Sequence, residues 1–219
     1  MDTRSSFHKS IEELEYDVIK MATLVEEMIF QAVKSLAEMN VPLAEKAVLQ
    51  DDEVDKQMLL IEGRCMRLIA LQQPMATDLR MIGTALKIVT DLERVADHAV
   101  DIAKVTKRLA GEKLVKPLID VPKIAEMVME MLHTSITAFV KKDAALCETL
   151  ADKDDEVDKL YASIFDELIE LMGTDKTVNR QLSHLLMVAH SLERVGDHAT
   201  NIGEWVIYMV SGNRKDLNL

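Results

Sequence analysis

An eleven-residue stretch occurs twice in this chain, and it constrains the possible folds more than any other feature. The first copy reads L-E-R-V-A-D-H-A-V-D-I from Leu92 to Ile102, and the second reads L-E-R-V-G-D-H-A-T-N-I from Leu192 to Ile202. The copies lie 100 positions apart and agree at eight positions. Agreement of this length does not arise by chance, so the chain consists of two related halves.

A second, shorter repeat supports the same division. The segment D-D-E-V-D at residues 51–55 recurs at residues 154–158, at an offset of 103. The two offsets differ by three residues, which are absorbed at a turn that contains Pro74 in one half and Gly173 in the other. We therefore place the first half at residues 1–112 and the second at residues 113–219.

The composition and the spacing of apolar residues both favour helices. Gly (7) and Pro (4) are scarce, and the alternation typical of strands is absent. Apolar residues recur at three- and four-residue spacing, which predicts six helices at about residues 6–39, 42–72, 74–109, 121–141, 144–172 and 175–211. The predicted fold class is all-α, with two tandem, pseudo-symmetric three-helix bundles.

The apolar stripes indicate how each helix faces the core. The first helix carries the stripe Ile11, Leu14, Val18, Met21, Val25, Met28 and Ala32. The third helix carries Met75, Leu79, Ile82, Leu86 and Val89, and continues into Glu93, Ala96, Val100 and Ala103. An acid thus occupies a stripe position, with small residues beside it.

Each half also carries two rows of oxygen ligands at four-residue spacing, which stack on one face of a helix. The rows lie on consecutive helices at similar distances from the connecting turn, so antiparallel packing brings them level. Packed helices lie about 8–10 Å apart, close enough for both rows to reach one ion or a small cluster. The candidate metal ligands are Asp51, Asp55, Glu93, Asp97 and Asp101 in the first half and Asp154, Asp158, Glu193, Asp197 and Asn201 in the second.

The ligand chemistry indicates a hard cation. Carboxylates favour Mg²⁺, Ca²⁺, Mn²⁺ or iron, and Zn²⁺ is less suited without His or Cys ligands. The alternative is that the acids form an ordinary solvent-exposed face. Repetition of the paired motifs in both halves favours the metal site.

Several neighbouring residues are expected to have structural roles. His98 and His198 lie about 100° around the helix from the acid row, which indicates a supporting role rather than ligation. Arg94 and Arg194 are placed to pair with Asp97 and Asp197, three residues on. The Glu-x-x-His pattern of ferritin-like di-iron proteins is not matched, because Val95 and Val195 stand at the Glu position.

Other residues give weaker signals. Arg80 and Arg180 match between the halves and are interpreted as helix–helix ion pairs rather than phosphate anchors. Cys65 and Cys147 are expected to be buried reduced thiols. No role is expected for His133, His184 and His190, which have no counterparts between the halves.

Charge and hydropathy exclude two classes of partner. A formal net charge of -12 argues against a nucleic-acid surface, which needs a basic patch. No run approaches the roughly 18 apolar residues of a membrane span, and the first residues contain no apolar signal core. We expect a cytoplasmic protein without direct membrane insertion.

At this point the motifs are identifiable. Q-Q-P-M-A-T-D-L-R at residues 72–80 and the two L-E-R-V copies, the second extending through G-E-W-V, resemble the PhoU family over the whole chain. The resemblance implies a cytoplasmic, often dimeric, negative regulator of the phosphate-starvation response. It also implies a link between the phosphate ABC transporter, through its ATPase subunit, and a sensor histidine kinase.

The resemblance further implies metal clusters, bound through paired E/D-x-x-x-D motifs. Those motifs fall on Asp51 and Asp55, Glu93 and Asp97, Asp154 and Asp158, and Glu193 and Asp197. One difference between the halves is that Asn201 stands where the first half has Asp101. The second site has less negative charge, so cluster size or metal identity can differ between the halves.

Three classes of function are compatible with these patterns. The first is a non-enzymatic, metal-binding regulator that docks on partner proteins, and we expect this one. The second is a metal-dependent hydrolase or oxidase, but no catalytic triad, P-loop or Gly-rich cradle is visible. The third is a helical scaffold whose acidic faces bind no metal.

Overall fold

The computed structural model describes residues 3–217, with side chains from Phe7 onward. This part of the chain forms six α-helices and one short 3-10 helix, with no strand among the described residues. The outermost residues of both predicted halves lie outside this range. The helices are α1 Thr3–Ala37, α2 Val41–Gln72, α3 Ala76–Arg108, α4 Asp120–Lys141, α5 Ala144–Thr174 and α6 Asn179–Ser211, and the 3-10 helix is Lys176–Val178.

The all-α prediction is confirmed, and the helices pack in two groups of three. Helices α1, α2 and α3 all contact one another, as do α4, α5 and α6. Helix α3 packs along α6, and α1 packs along α4, so the two groups share one hydrophobic core. Helices α2 and α5 lie on opposite outer sides of this four-helix centre.

The second helix of each group begins at an equivalent capping residue. The side chain of Asn40 accepts a hydrogen bond from the Leu43 amide at 3.1 Å, and that of Asp143 accepts one from the Leu146 amide at 3.1 Å. These caps satisfy amides that have no partner within the helix. Since the two caps are 103 residues apart, the repeat extends to the helix starts.

Two predicted helix ends need correction. Helix α3 begins at Ala76 rather than Pro74, because the chain turns through Gln73 in the left-handed conformation (φ 45°). Helix α5 continues through Gly173 to Thr174, so the second-half turn lies after the predicted position. There Asp175 accepts a hydrogen bond from the Thr177 amide at 2.9 Å and starts the 3-10 helix that replaces the predicted first turn of α6.

The predicted stripe of α1 is buried throughout, but the stripe of α3 is wrong at its start. Met75 is 79% exposed and Leu79 is 45% exposed. Met75 precedes α3, so helical spacing does not set its direction. The buried face of the first turns is formed instead by Met81 and Ile82.

Arg80 and Arg180 make different contacts between the two groups of helices. Arg180 pairs with Glu112 in the linker after α3, so it forms an ion pair as predicted, but not one between two helices. The ion-pair prediction is wrong for Arg80, whose Nε donates to the carbonyl oxygen of Met209 at 3.1 Å. A carbonyl near the C-terminus of α6 is an acceptor on which a cation is favoured.

Glycines 203 and 63 give a matched test of packing. A Cβ at Gly203 would lie 2.6 Å from Cδ1 of the buried Leu150, whereas one at Gly63 would meet nothing within 4 Å. We expect Gly203→Ala to lower the free energy of unfolding by about 1–2 kcal/mol, because overpacking outweighs the gain in helix propensity. Gly63→Ala should raise it by about 0.5–1 kcal/mol.

Urea denaturation followed by circular dichroism measures both changes. Equal effects of the two substitutions would contradict the close approach of α5 to Gly203.

Candidate metal site: the paired acid rows

In the first half, the structure brings the acids of α2 and α3 within electrostatic reach of one another. Burial raises the pKa of Asp51, and the carboxylates of Asp55 and Asp97 raise it further. Burial also raises the pKa of Glu93, followed by the charges of Asp97, Asp55 and Asp51, against the lowering effect of Arg94. Charges on α2 thus act on an acid of α3 and the reverse, so the two rows lie within electrostatic reach of each other.

The second half repeats this arrangement on α5 and α6. Burial raises the pKa of Asp154 to about 6, and the charges of Asp158, Asp197 and Glu193 add to the shift. Burial and the Asp197 carboxylate likewise raise the pKa values of Asp158 and Glu193. The charged forms of Asp154, Asp158 and Glu193 are therefore disfavoured, and a cation between the helices would relieve this.

Asp154 is more buried than its counterpart Asp51, and two sequence differences accompany this. Thr200 Oγ1 donates to Asp154 Oδ1 at 3.2 Å, whereas the equivalent residue of α3 is Val100, which has no donor. Gly196 stands where α3 has Ala96, and a Cβ there would touch Asp154 Oδ1 at 3.5 Å. The second half thus holds its first acid deeper between the helices.

The third members of the rows lie further from these groups. Asp101 is exposed, and its Oδ1 lies 3.6 Å from Lys104 Nζ. Asp101 is not among the charges that act on Asp51 or Glu93. Asn201 is half-buried at the equivalent position on α6. The assignment of these two residues as ligands stays a prediction.

Arginines partly compensate the acid rows, as predicted. Arg94 Nη1 lies 3.1 Å from Asp97 Oδ2, and its Nε lies 3.4 Å from Glu93 Oε2. Arg194 forms the equivalent pair with Asp197. Each half therefore has one local cation from its own motif against four acids.

The two motif histidines meet where α3 packs on α6, but their environments differ. Their ring centroids lie 5.8 Å apart. His198 Nδ1 lies 2.9 Å from Asp91 Oδ1, whereas the residue 100 positions after Asp91 is Ser191. His98 Nδ1 is buried without a hydrogen-bond partner, and burial lowers the pKa of His98 to about 4, with a further contribution from His198. His98 is therefore neutral at pH 7.

The sequence interpretation missed three residues that contact the motifs: Asp91, Thr200 and His190. His190 Nδ1 lies 3.2 Å from Glu193 Oε2, a contact that is an ion pair only when the imidazole is protonated. The three-residue spacing from Glu193 could have indicated this neighbour. Asp91 and Thr200 are visible as differences between the repeats, but their partners lie on other helices.

The two cysteines take no part in this site. Cys65 and Cys147 are free and buried, as predicted. Burial raises the pKa of each thiol to about 12, so neither is a thiolate at neutral pH.

The donor set fits a hard cation, although the acids do not converge on one point. Within residues 3–217, no three His, Cys, Asp or Glu side chains form a group that could hold a metal ion. Glu193 Oε2 is buried and lies 3.2 Å from His190 Nδ1, without a hydrogen bond between them. A cation could supply the interaction that this buried carboxylate oxygen lacks when the imidazole is neutral. Side-chain movements would be needed to close the rows on an ion.

Two groups of three helices, joined through α3 and α6 and each with paired acid rows, define a tandem helical-bundle protein. The PhoU domain model matches residues 18–106 and 121–206. The chain belongs to the PhoU family.

Named relatives cover almost all of the chain. A phosphate-specific transport system accessory protein PhoU homolog from Clostridium acetobutylicum is 41% identical over 217 residues, covering 99% of both chains. The homolog of the same name from Aquifex aeolicus is 42% identical and covers 93% of this chain and 92% of its own. Both relatives therefore have nearly the same extent as this protein.

Solved structures share the fold. PhoU from Pseudomonas aeruginosa superposes with a TM-score of 0.90 at 33% identity, covering 94% of this chain and 100% of that one. The phosphate transport system regulatory protein PhoU from Streptococcus pneumoniae gives a TM-score of 0.89 at 28% identity, covering 96% of this chain and 99% of that one.

Across residues 3–217, none of the helices has the length and apolar character needed to cross a membrane.

Asp154 provides a test of the repulsion in the second half. Its folded-state pKa of about 6 exceeds the ordinary value of 3.8. The folded state therefore holds this proton more tightly, and the associated stability is full below pH 3.8 and lost as pH rises through 6. In chelator-treated protein, Asp154→Asn should raise the free energy of unfolding at pH 8 and have little effect near pH 3.5.

Urea titrations at both pH values measure this difference. A loss of stability at pH 8 without metal would contradict the predicted repulsion.

Proposed function

We propose that this protein is a non-enzymatic, metal-binding accessory protein that regulates phosphate uptake and phosphate-starvation signalling. Membership of the PhoU family carries this proposal, because the relatives are named for an accessory role in phosphate-specific transport. The proposed action is negative regulation in the cytoplasm, by contact with the ATPase subunit of the phosphate ABC transporter and with a sensor histidine kinase. A homodimer is part of the proposal.

Metal binding is the second part of the proposal, and the two acid rows support it. Asp51, Asp55, Glu93 and Asp97 would hold one ion or cluster, and their four equivalents on α5 and α6 would hold another. A bound multivalent cation would neutralise carboxylates whose charges help to raise the pKa values of Asp51, Glu93, Asp154 and Glu193. It would therefore fix α2 to α3 and α5 to α6 and set the shape of the acidic face.

The metal content of protein purified without chelator tests this assignment. Asp154→Ala with Asp158→Ala should remove the share held by the second half, and Glu93→Ala with Asp97→Ala should remove the share of the first. The chain offers a matched control, because Asp152 and Glu156 are exposed on the same helix at the same four-residue spacing. Their replacement by Ala removes the same charge and should leave the content unchanged.

Elemental analysis by mass spectrometry gives the stoichiometry. An equal metal content in all four proteins would contradict the ligand assignment.

Metal should also stabilise the fold. A ligand that binds only the folded state adds about 2.7 kcal/mol at a free concentration of 100 times its Kd. We expect EDTA to lower the Tm of metal-loaded protein, and the original Tm to return when metal is restored. The Asp154→Ala, Asp158→Ala protein should respond less. Differential scanning calorimetry measures these shifts, and an unchanged Tm after proven metal removal would count against the site.

Deletion of the gene tests the regulatory role. Without the negative regulator, phosphate-responsive genes should stay on when phosphate is plentiful. A transcriptional reporter measures this, and the wild-type gene supplied in trans should restore repression. Normal repression in a deletion strain with no second copy would refute the proposal. Metal-dependent turnover of phosphate compounds by the pure protein would instead favour a hydrolase.

A further inference from the structure

The outer face of α2 carries an exposed row of large apolar side chains, here called the α2 stripe and defined by Leu59, Leu60, Met66 and Leu71. These residues are 63%, 50%, 61% and 70% exposed, respectively. Single exposed leucines are common, but adjacent ones on one helix face form a patch of the kind that marks interaction surfaces. The stripe lies on the C-terminal half of α2, beyond the acid row.

The repeat provides an internal comparison for this surface. At the offset of 103, the three leucines of the stripe are matched by polar or small residues, namely Ala162, Ser163 and Thr174. Only Met66 is matched by an apolar residue, the 46% exposed Ile169. Since α5 has the same place in its bundle as α2, the fold itself does not require leucines here. Another requirement, specific to the first half, accounts for them.

The geometry of the stripe suits a second helix. Positions 59, 63, 66 and 70 recur at spacings of four, three and four residues and are all exposed. Leu60 and Leu71 flank this row, each one residue on from its first or last position. This is the spacing of a seam between packed helices. Gly63 lies at its centre, where a Cβ would meet nothing within 4 Å. Packing within the protein does not require this glycine, and its lack of a side chain lets a neighbouring backbone approach closely.

Charge specifies the partner further. Arg67 is exposed beside the stripe and has no ion pair within residues 3–217, whereas Arg64 pairs with Glu13 and Asp17. A carboxylate on the partner would match Arg67. An anionic lipid surface is disfavoured, because the first half of α2 carries D-D-E-V-D and the chain has a net charge of -12.

We propose that the α2 stripe is the docking site for one amphipathic helix of a protein partner. The apolar side of that helix packs on Leu59, Leu60, Met66 and Leu71, its backbone passes close to Gly63, and a carboxylate pairs with Arg67. This inference rests on the proposed function, which supplies two probes: the purified ATPase subunit of the phosphate transporter and the purified cytoplasmic part of the sensor kinase.

The experiment measures the Kd of each probe by isothermal titration calorimetry with the full-length, metal-loaded protein. Two variants disrupt the stripe, namely Leu60→Ser with Leu71→Ser, and Arg67→Glu. The matched control is Ile169→Ser on α5. All changes are at exposed positions, and circular dichroism checks that each variant folds.

The expected result is a rise in Kd of about tenfold or more for one probe with both stripe variants, which is about 1.4 kcal/mol of binding free energy. Ile169→Ser should leave that Kd unchanged. Equal affinities of wild type and stripe variants would overturn the docking site and leave the proposed function intact. If wild type binds neither probe, both this inference and the adaptor role are wrong.

Two further outcomes would assign the stripe to another occupant. Dissociation of a wild-type dimer by Leu60→Ser with Leu71→Ser in analytical ultracentrifugation, with probe binding unchanged, would overturn the proposal in favour of a second copy. Loss of binding to vesicles of phosphatidylglycerol and phosphatidylethanolamine, again with probe binding unchanged, would overturn it in favour of a membrane surface.

Discussion

The packing of α3 along α6 is the contact on which the rest of this protein depends. Every other long helix packs on one of these two, so their contact joins both groups of helices into one core. The repeated motif supplies matching buried residues to both helices, namely Leu92, Val95, Ala99 and Ile102 on α3 and Leu192, Val195, Ala199 and Ile202 on α6. Apolar burial of this kind is the main favourable term in folding.

The same two helices also carry acids of the candidate metal sites. The motif that stabilises the core therefore also brings like charges together, which costs free energy. A motif that buries Leu92 and Val95 must place Glu93 and Asp97 on the side of α3 next to α2, because the helical period fixes their relative directions. There burial and like charges disfavour the ionised form of Glu93. The arginines of the motif offset the negative charge of the acids only in part, so a bound cation would stabilise the acid rows. The proposed metal function follows from this imbalance rather than from a preformed ligand cluster.

The two halves share one arrangement of helices but differ at residues that contact other helices or lie on the outer faces. Thr200 in place of Val100 supplies a hydrogen bond to the buried Asp154. Asp91 supplies an acceptor to His198. Its counterpart in the second half is Ser191, and His98 has no equivalent partner. On the outside, Leu59, Leu60 and Leu71 of α2 correspond to small or polar residues of α5. A duplicated chain thus distinguishes its two acid sites and its two outer faces by few substitutions.

The sequence by itself determined the all-α class and the repeat, because helical periodicity and internal repetition are local properties of the chain. The assignment of the acid rows as metal ligands stays a prediction. It also predicted the Arg94–Asp97 pair, whose members lie one turn apart. It was wrong about Arg80 and the exposed Met75 and Leu79. Only the tertiary structure decided these, together with the contact between His198 and Asp91, because burial and partners across helices depend on which surfaces meet.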